Sequence, residues 1–123
     1  MTNGKKIFGT INMNWLELSN ESQLNEIIED SKNAPVLIFK HSTRCSISSM
    51  AINRLERAWK EGAKLKPYYL DLIRYRDISN LIATKLGVEH QSPQAIVIKD
   101  GKAIYNNSHM GISFNELEGA AKS

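Results

Sequence analysis

A run of four apolar residues, VLIF at 36–39, is followed by a helical pattern and then by a second strand-like run, PYYLDL at 67–72. This succession constrains the fold more than any other feature of the chain. A run apolar at every position suits a strand covered on both faces, as in the middle of a parallel sheet. Two parallel strands of one sheet need a crossover, and the segment between these two has the length and period to supply it as a helix. That helix is expected from about Cys45 to Glu61, with Ile47, Met50, Ala51, Leu55, Ala58 and Trp59 on its apolar side and Gly62 as terminator. Upstream, NWLEL (14–18) suits a short strand. Asn20 can then cap a helix reaching about Ser31, with Leu24, Ile27 and Ile28 on one face and Asn33-Ala34-Pro35 stopping it. Downstream, Pro67 opens its strand, and Ile78, Leu81, Ile82 and Leu86 mark a helix closed by Gly87.

Near the end the alternation breaks. AIVI (95–98), the turn pair Asp100-Gly101 and KAIYN (102–106) predict an antiparallel hairpin, and Ser113-x-x-Glu116 reads as a capping box before an apolar side carrying Phe114 and Leu117. The order β-α-β-α-β-α-β-β-α predicts an α/β sandwich of the thioredoxin type: a mixed central sheet with helices on both faces. At 123 residues the chain is expected as a single domain over 1–123, with about 1–13 a loosely held lead-in. Trp15 and Trp59 are expected in the core and His90 at the surface.

Composition excludes several function classes. The net charge of +3 comes from scattered basic residues, so no stripe for nucleic acid is visible. No apolar run approaches the roughly 20 residues of a membrane span, and the first residues lack the apolar block of a signal peptide. One cysteine permits no internal disulfide, which makes a reducing, cytoplasmic setting the expectation.

That cysteine, Cys45, is placed where strand 36–39 gives way to the next helix, in FKHSTRCSIS (39–48). A helix N-terminus presents unpaired N–H groups and favours the anionic form of a thiol, which is the nucleophile. Lys40, His41 and Arg44 are close in sequence, although sequence does not say where their side chains point. Two readings of Cys45 stay open, a reactive thiol and a small buried hydrophobe. Ser48 stands where a Cys-x-x-Cys pair would have its second thiol, and a hydroxyl cannot resolve a mixed disulfide. The site is therefore monothiol if it is reactive, and Ser48 is otherwise a surface serine without a role. His41 and His109 are candidate modulators of a thiolate or packing and surface residues.

VLIFKHSTRCSIS, SPQAIVIKDGKAIYN and HMGISFNELEGA resemble the thioredoxin superfamily over nearly the whole chain. Within it, Arg44-Cys45-Ser46-Ile47-Ser48, preceded by FKHST, resembles the T-C-P-I-S loop of the monothiol bacilliredoxins, as SHMGIS (108–113) resembles the segment before their last helix. This resemblance implies a thiol-disulfide oxidoreductase in which Cys45 is catalytic within a loop of Thr43, Arg44, Ser46, Ile47 and Ser48. It implies a cis Ser92–Pro93 bond facing the cysteine and pairing with substrate backbone. It further implies removal of bacillithiol, a low-molecular-weight thiol, from protein mixed disulfides, with bacillithiol as co-substrate, no tightly bound cofactor and S-bacillithiolated proteins as clients. Ser46 departs from the family by replacing proline, which adds a donor near the sulfur and loosens the loop.

Rival readings have weaker support. A cysteine hydrolase would pair Cys45 with His and Asn or Asp, and no local signature does so. Three separated histidines do not match zinc spacing, so no metal is expected. The C-G-F-S loop of glutathione-using monothiol glutaredoxins is absent. A thioredoxin-like binding module with an idle cysteine is the non-enzymatic alternative.

Overall fold

The computed structural model describes residues 14–122, so the lead-in expected over about 1–13 lies outside the described residues. The elements are β1 (Leu16–Glu17), α1 (Glu21–Asp30), β2 (Val36–His41), α2 (Ser46–Ala58), β3 (Lys66–Asp71), α3 (Arg76–Leu86), β4 (Gln94–Lys99), β5 (Lys102–Ser108), a 3-10 turn (His109–Gly111) and α4 (Phe114–Lys122). They build a five-stranded mixed sheet in the order β1-β3-β2-β4-β5. The pairs β1–β3 and β2–β3 are parallel, whereas β2–β4 and β4–β5 are antiparallel. The α/β sandwich of the thioredoxin type is therefore the observed architecture.

The two-residue period of β2 decides what each sheet face receives. Leu37 and Phe39 join Ala51, Ile52, Leu55, Phe114 and Leu117 in the core under α2 and α4, with Trp15 beside them. Val36 and Ile38 join Leu24, Ile27, Ile78 and Ile82 in the core under α1 and α3. Continued to the end of the strand, the same alternation sends Lys40 to the α3 side and His41 to the α2 side.

Local chemistry sets most boundaries. The Asn20 side chain accepts from the Gln23 amide at 2.8 Å and starts α1. Gly87, left-handed at φ 66°, ends α3. Asp100 and Gly101 both have positive φ, 56° and 77°, as a two-residue hairpin turn of the primed type requires. The amides of both turn residues bond Ser31, Asp100 to its carbonyl and Gly101 to its hydroxyl, which ties the hairpin tip to the end of α1.

Three expectations need correction. Helix α2 ends at Ala58 and not at Glu61, because Trp59 turns extended at ψ 133° to pack its ring 5.0 Å from Phe114 and 6.3 Å from Trp15. Gly62 thus belongs to the following turn. The buried face of α2 is Ser48, Ala51, Ile52, Leu55 and Glu56, while Ile47 and Met50 are 48% and 58% exposed. At α4 the capping box does not close: the Glu116 carboxylate instead accepts from the Tyr105 hydroxyl at 2.6 Å.

Candidate active site

Strand β2 leads into a tight turn over Ser42, Thr43 and Arg44, closed by a Cys45 N–H bond to the Ser42 carbonyl at 3.1 Å. Cys45 is the N-cap of α2, with extended backbone, and its carbonyl takes the Ser49 amide at 3.0 Å. The N–H groups of the first helical turn have no intrahelical partner and direct partial positive charge at this end. The thiol is half-buried, and among the described residues nothing hydrogen-bonds to its sulfur. Thr43, Arg44, Ser46 and Ile47 are exposed around it.

Ser48 is fully buried, one helical turn after Cys45. Its Oγ accepts from the Ser42 amide at 3.0 Å and lies 2.7 Å from His41 Nδ1. A hydroxyl that accepts there still needs an acceptor for its own proton, and His41 Nδ1 is the acceptor the described residues offer. The imidazole is therefore neutral with its proton on Nε2. Burial pushes the His41 pKa below the ordinary value and the Asp71 carboxylate opposes it less strongly, in keeping with a neutral ring. Ser48 is thus a buried brace between the end of β2 and the first turn of α2, and not a surface serine.

Lys40 does not join this group. Its side chain is buried on the other sheet face, with Nζ 3.2 Å from His90 Nδ1 and 3.5 Å from the Ser79 carbonyl. Desolvation lowers its pKa to about 8. Lys40, considered as a thiolate modulator, makes its contacts on the sheet face away from the Cys45 brace, because successive strand residues face opposite ways. His90, though exposed, is bonded to Lys40 and to Ser79 Oγ (3.3 Å). His109 is also exposed. Its ring bonds Ser108 Oγ at 3.2 Å, and no hydrogen bond among the described residues takes it to Cys45.

The Ser92–Pro93 peptide is cis. Lys40 pairs with Gln94 in the β2–β4 register, so Pro93 is the next position along it, beside the end of β2 from which the cysteine loop departs. The Pro93 carbonyl accepts from the His109 amide at 3.1 Å, and Arg54 of α2 donates to the carbonyls of His109 and Ile112. Cysteine loop, cis-proline loop and 3-10 turn are thereby joined at one end of the sheet.

A family model of the monothiol bacilliredoxin BrxC matches residues 16–117. The chain belongs to the monothiol bacilliredoxin family. Among solved structures, the chain is similar to one provisionally assigned as an oxidoreductase with a thioredoxin fold, at 34% identity and TM-score 0.74, covering 85% of this chain and 90% of the other. It shares the fold of Malassezia sympodialis thioredoxin (17% identity, TM-score 0.70, 94% and 95% covered) and of Trypanosoma brucei brucei thioredoxin (13%, 0.70, 95% of each). The chain is accordingly a thiol oxidoreductase of the thioredoxin superfamily. No helix among the described residues is long and apolar enough to cross a membrane, and no cluster of three or more His, Cys, Asp or Glu there could hold a metal.

Reading the sequence missed Arg54, Ser79, Asp71 and Gln94 as parts of this end of the molecule. Gln94 carried the one usable signal: it is the lone polar residue in QAIVI, a strand otherwise buried on both faces.

Proposed function

We propose that the protein removes bacillithiol from mixed disulfides on client proteins by monothiol exchange at Cys45. The observation that carries this reading is the pairing of a half-buried thiol at the start of α2 with a buried hydroxyl, Ser48, at the resolving position. Family membership supports bacillithiol as the co-substrate.

In the first step the Cys45 thiolate attacks the bacillithiol sulfur of the mixed disulfide. The old S–S bond breaks, the client leaves as its thiolate, and Cys45 carries bacillithiol. Ser48 cannot displace it, because a hydroxyl is a poor nucleophile at neutral pH and this one is engaged with His41 and Ser42. A second bacillithiol thiolate then attacks the adduct, frees Cys45 and leaves as the symmetric disulfide, which a separate reductase must reduce. Exposed Ile47 and Met50, two and five residues after Cys45, give a client an apolar surface to cover.

The test is release of bacillithiol from a bacillithiolated protein, with a glutathionylated protein in parallel and Cys45→Ser as control. The proposal expects release by the wild type and none by the variant. Preference for the glutathione adduct would move the co-substrate. No exchange with either from folded protein would leave a binding module.

A further inference from the structure

The loop between α3 and β4 is held by two buried polar side chains that face each other across the β2–β4 register. Lys40 of β2 and Gln94 of β4 are paired residues, and both are fully buried. Paired residues of antiparallel strands share a sheet face, so both reach the same loop. The Gln94 amide is engaged at both ends: Nε2 donates to the Glu89 carbonyl (3.0 Å) and to Asn106 Oδ1 (3.3 Å), and Oε1 accepts from the Gln91 amide (3.3 Å). Lys40 Nζ donates to His90 Nδ1. Gly87 and the bond from the Val88 amide to the Ala83 carbonyl fix where the loop begins, and the His109 amide fixes the Pro93 carbonyl at its end. Inside this frame Ser92 is half-buried, and its backbone N–H and C=O have no partner among the described residues.

Lys40 has no carboxylate against it among the described residues, since its two partners are a carbonyl and an imidazole. A buried cation without a counter-ion works against folding stability. Packing alone would be served better by a methionine at this position. Groups that oppose stability gather where function needs them.

We infer that Lys40, Gln94 and His90 are positioning residues that hold loop 88–93 so that the open backbone of Ser92 meets an extended client segment. The inference rests on the proposed exchange at Cys45 and adds to it what sets client affinity. It assigns these residues to docking, on the opposite sheet face from the cysteine brace. Displacement of a docking edge by about an ångström is enough to cost substantial binding and rate.

The test uses the full chain with Lys40→Met, His90→Leu and His90→Asn, the last of which keeps an acceptor for Lys40. Three quantities are measured: KM and kcat with a bacillithiolated protein, the alkylation rate of Cys45 by iodoacetamide, and Tm. The inference expects KM to rise about 10-fold in Lys40→Met and His90→Leu, with alkylation within about twofold of wild type and His90→Asn within about threefold in KM. It also expects Tm to rise in Lys40→Met, where a purely structural lysine would give a fall. Wild-type KM in both disrupting variants overturns the inference, and so does a matching loss of alkylation, which would place the effect at the cysteine. His90 is exposed, so His90→Leu decides the matter if Lys40→Met does not fold. Amide hydrogen exchange at Gln91, whose N–H is bonded to Gln94, faster in His90→Leu if the inference holds and unchanged if it does not, reads the cradle without the reaction. Failure of wild-type exchange would therefore sink the proposed function and leave this inference still decidable.

Discussion

Lys40 and His41 are neighbours in sequence, both buried, both carrying nitrogen, and they serve opposite faces of the sheet. His41 is neutral, bonded to Ser48, and braces the loop that carries Cys45. Lys40 is a cation with neutral partners and braces the loop that carries Ser92 and Pro93. One strand end thus organises two loops through side chains that never meet. The difference teaches that the cysteine loop and the cis-proline loop have separate supports, so that each can be changed alone.

The largest effect should come on the His41 side. Cys45→Ser is expected to reduce exchange to the uncatalysed level while leaving amide protection at Gln91 as in the wild type, measured by hydrogen exchange. Loss of protection there would break the separation of the two supports. Next is Ser48→Ala, which leaves the His41 nitrogen and the Ser42 amide buried without a partner. It should cost about 1–3 kcal/mol in chemical denaturation.

A third effect is in pH. The folded-state pKa of His41 lies below its unfolded value, so the unfolded chain binds more protons in that interval. Its contribution to stability is present above about pH 6.5 and is lost as pH falls toward the folded value. Glu56 has the opposite sign. Its carboxyl is buried against Trp15 Nε1 (2.7 Å), with Oε1 lacking a partner, and burial raises its pKa to about 7. The stability it contributes is present below pH 4.5 and is lost as pH rises through 7. Glu56→Gln should therefore raise Tm at pH 8 by a few degrees, for a change of about 1 kcal/mol, and do less at pH 5. Comparing wild type with His41→Gln and Glu56→Gln across this range separates the two titrations. The smallest effect belongs to Ser46→Pro. Ser46 opens α2, where the N–H has no intrahelical partner, so proline should be neutral or stabilise by about 0.4–1 kcal/mol.

The legible parts of the sequence were those in which local chemistry decides. Asp100-Gly101 announces its turn because both residues must take positive φ, and Gly87 announces the end of α3 for the same reason. VLIF announces a central strand because both of its faces are covered. Burial of polar groups was the illegible part. Ile47 and Met50 look like core positions of α2, yet the buried stripe runs one residue further on through Ser48 and Glu56, each held by a partner distant in sequence or across the loop. The end of α2 was equally hidden, because the packing of Trp59 on Phe114 is a tertiary event. Cys45 itself was legible from its place between strand and helix. The bracing of that place by His41 and Ser48, and of the facing loop by Lys40 and Gln94, needed the fold.

The central claim, that Cys45 takes bacillithiol directly and cannot pass it on internally, is tested most directly by the intact mass of the protein after one turnover. The measurement uses a bacillithiolated client with no free thiol added. The account predicts a protein heavier by one bacillithiol, attached at Cys45, and stable until bacillithiol is supplied. A covalent adduct with the client protein in its place, or an unmodified protein beside a fully reduced client, would contradict it.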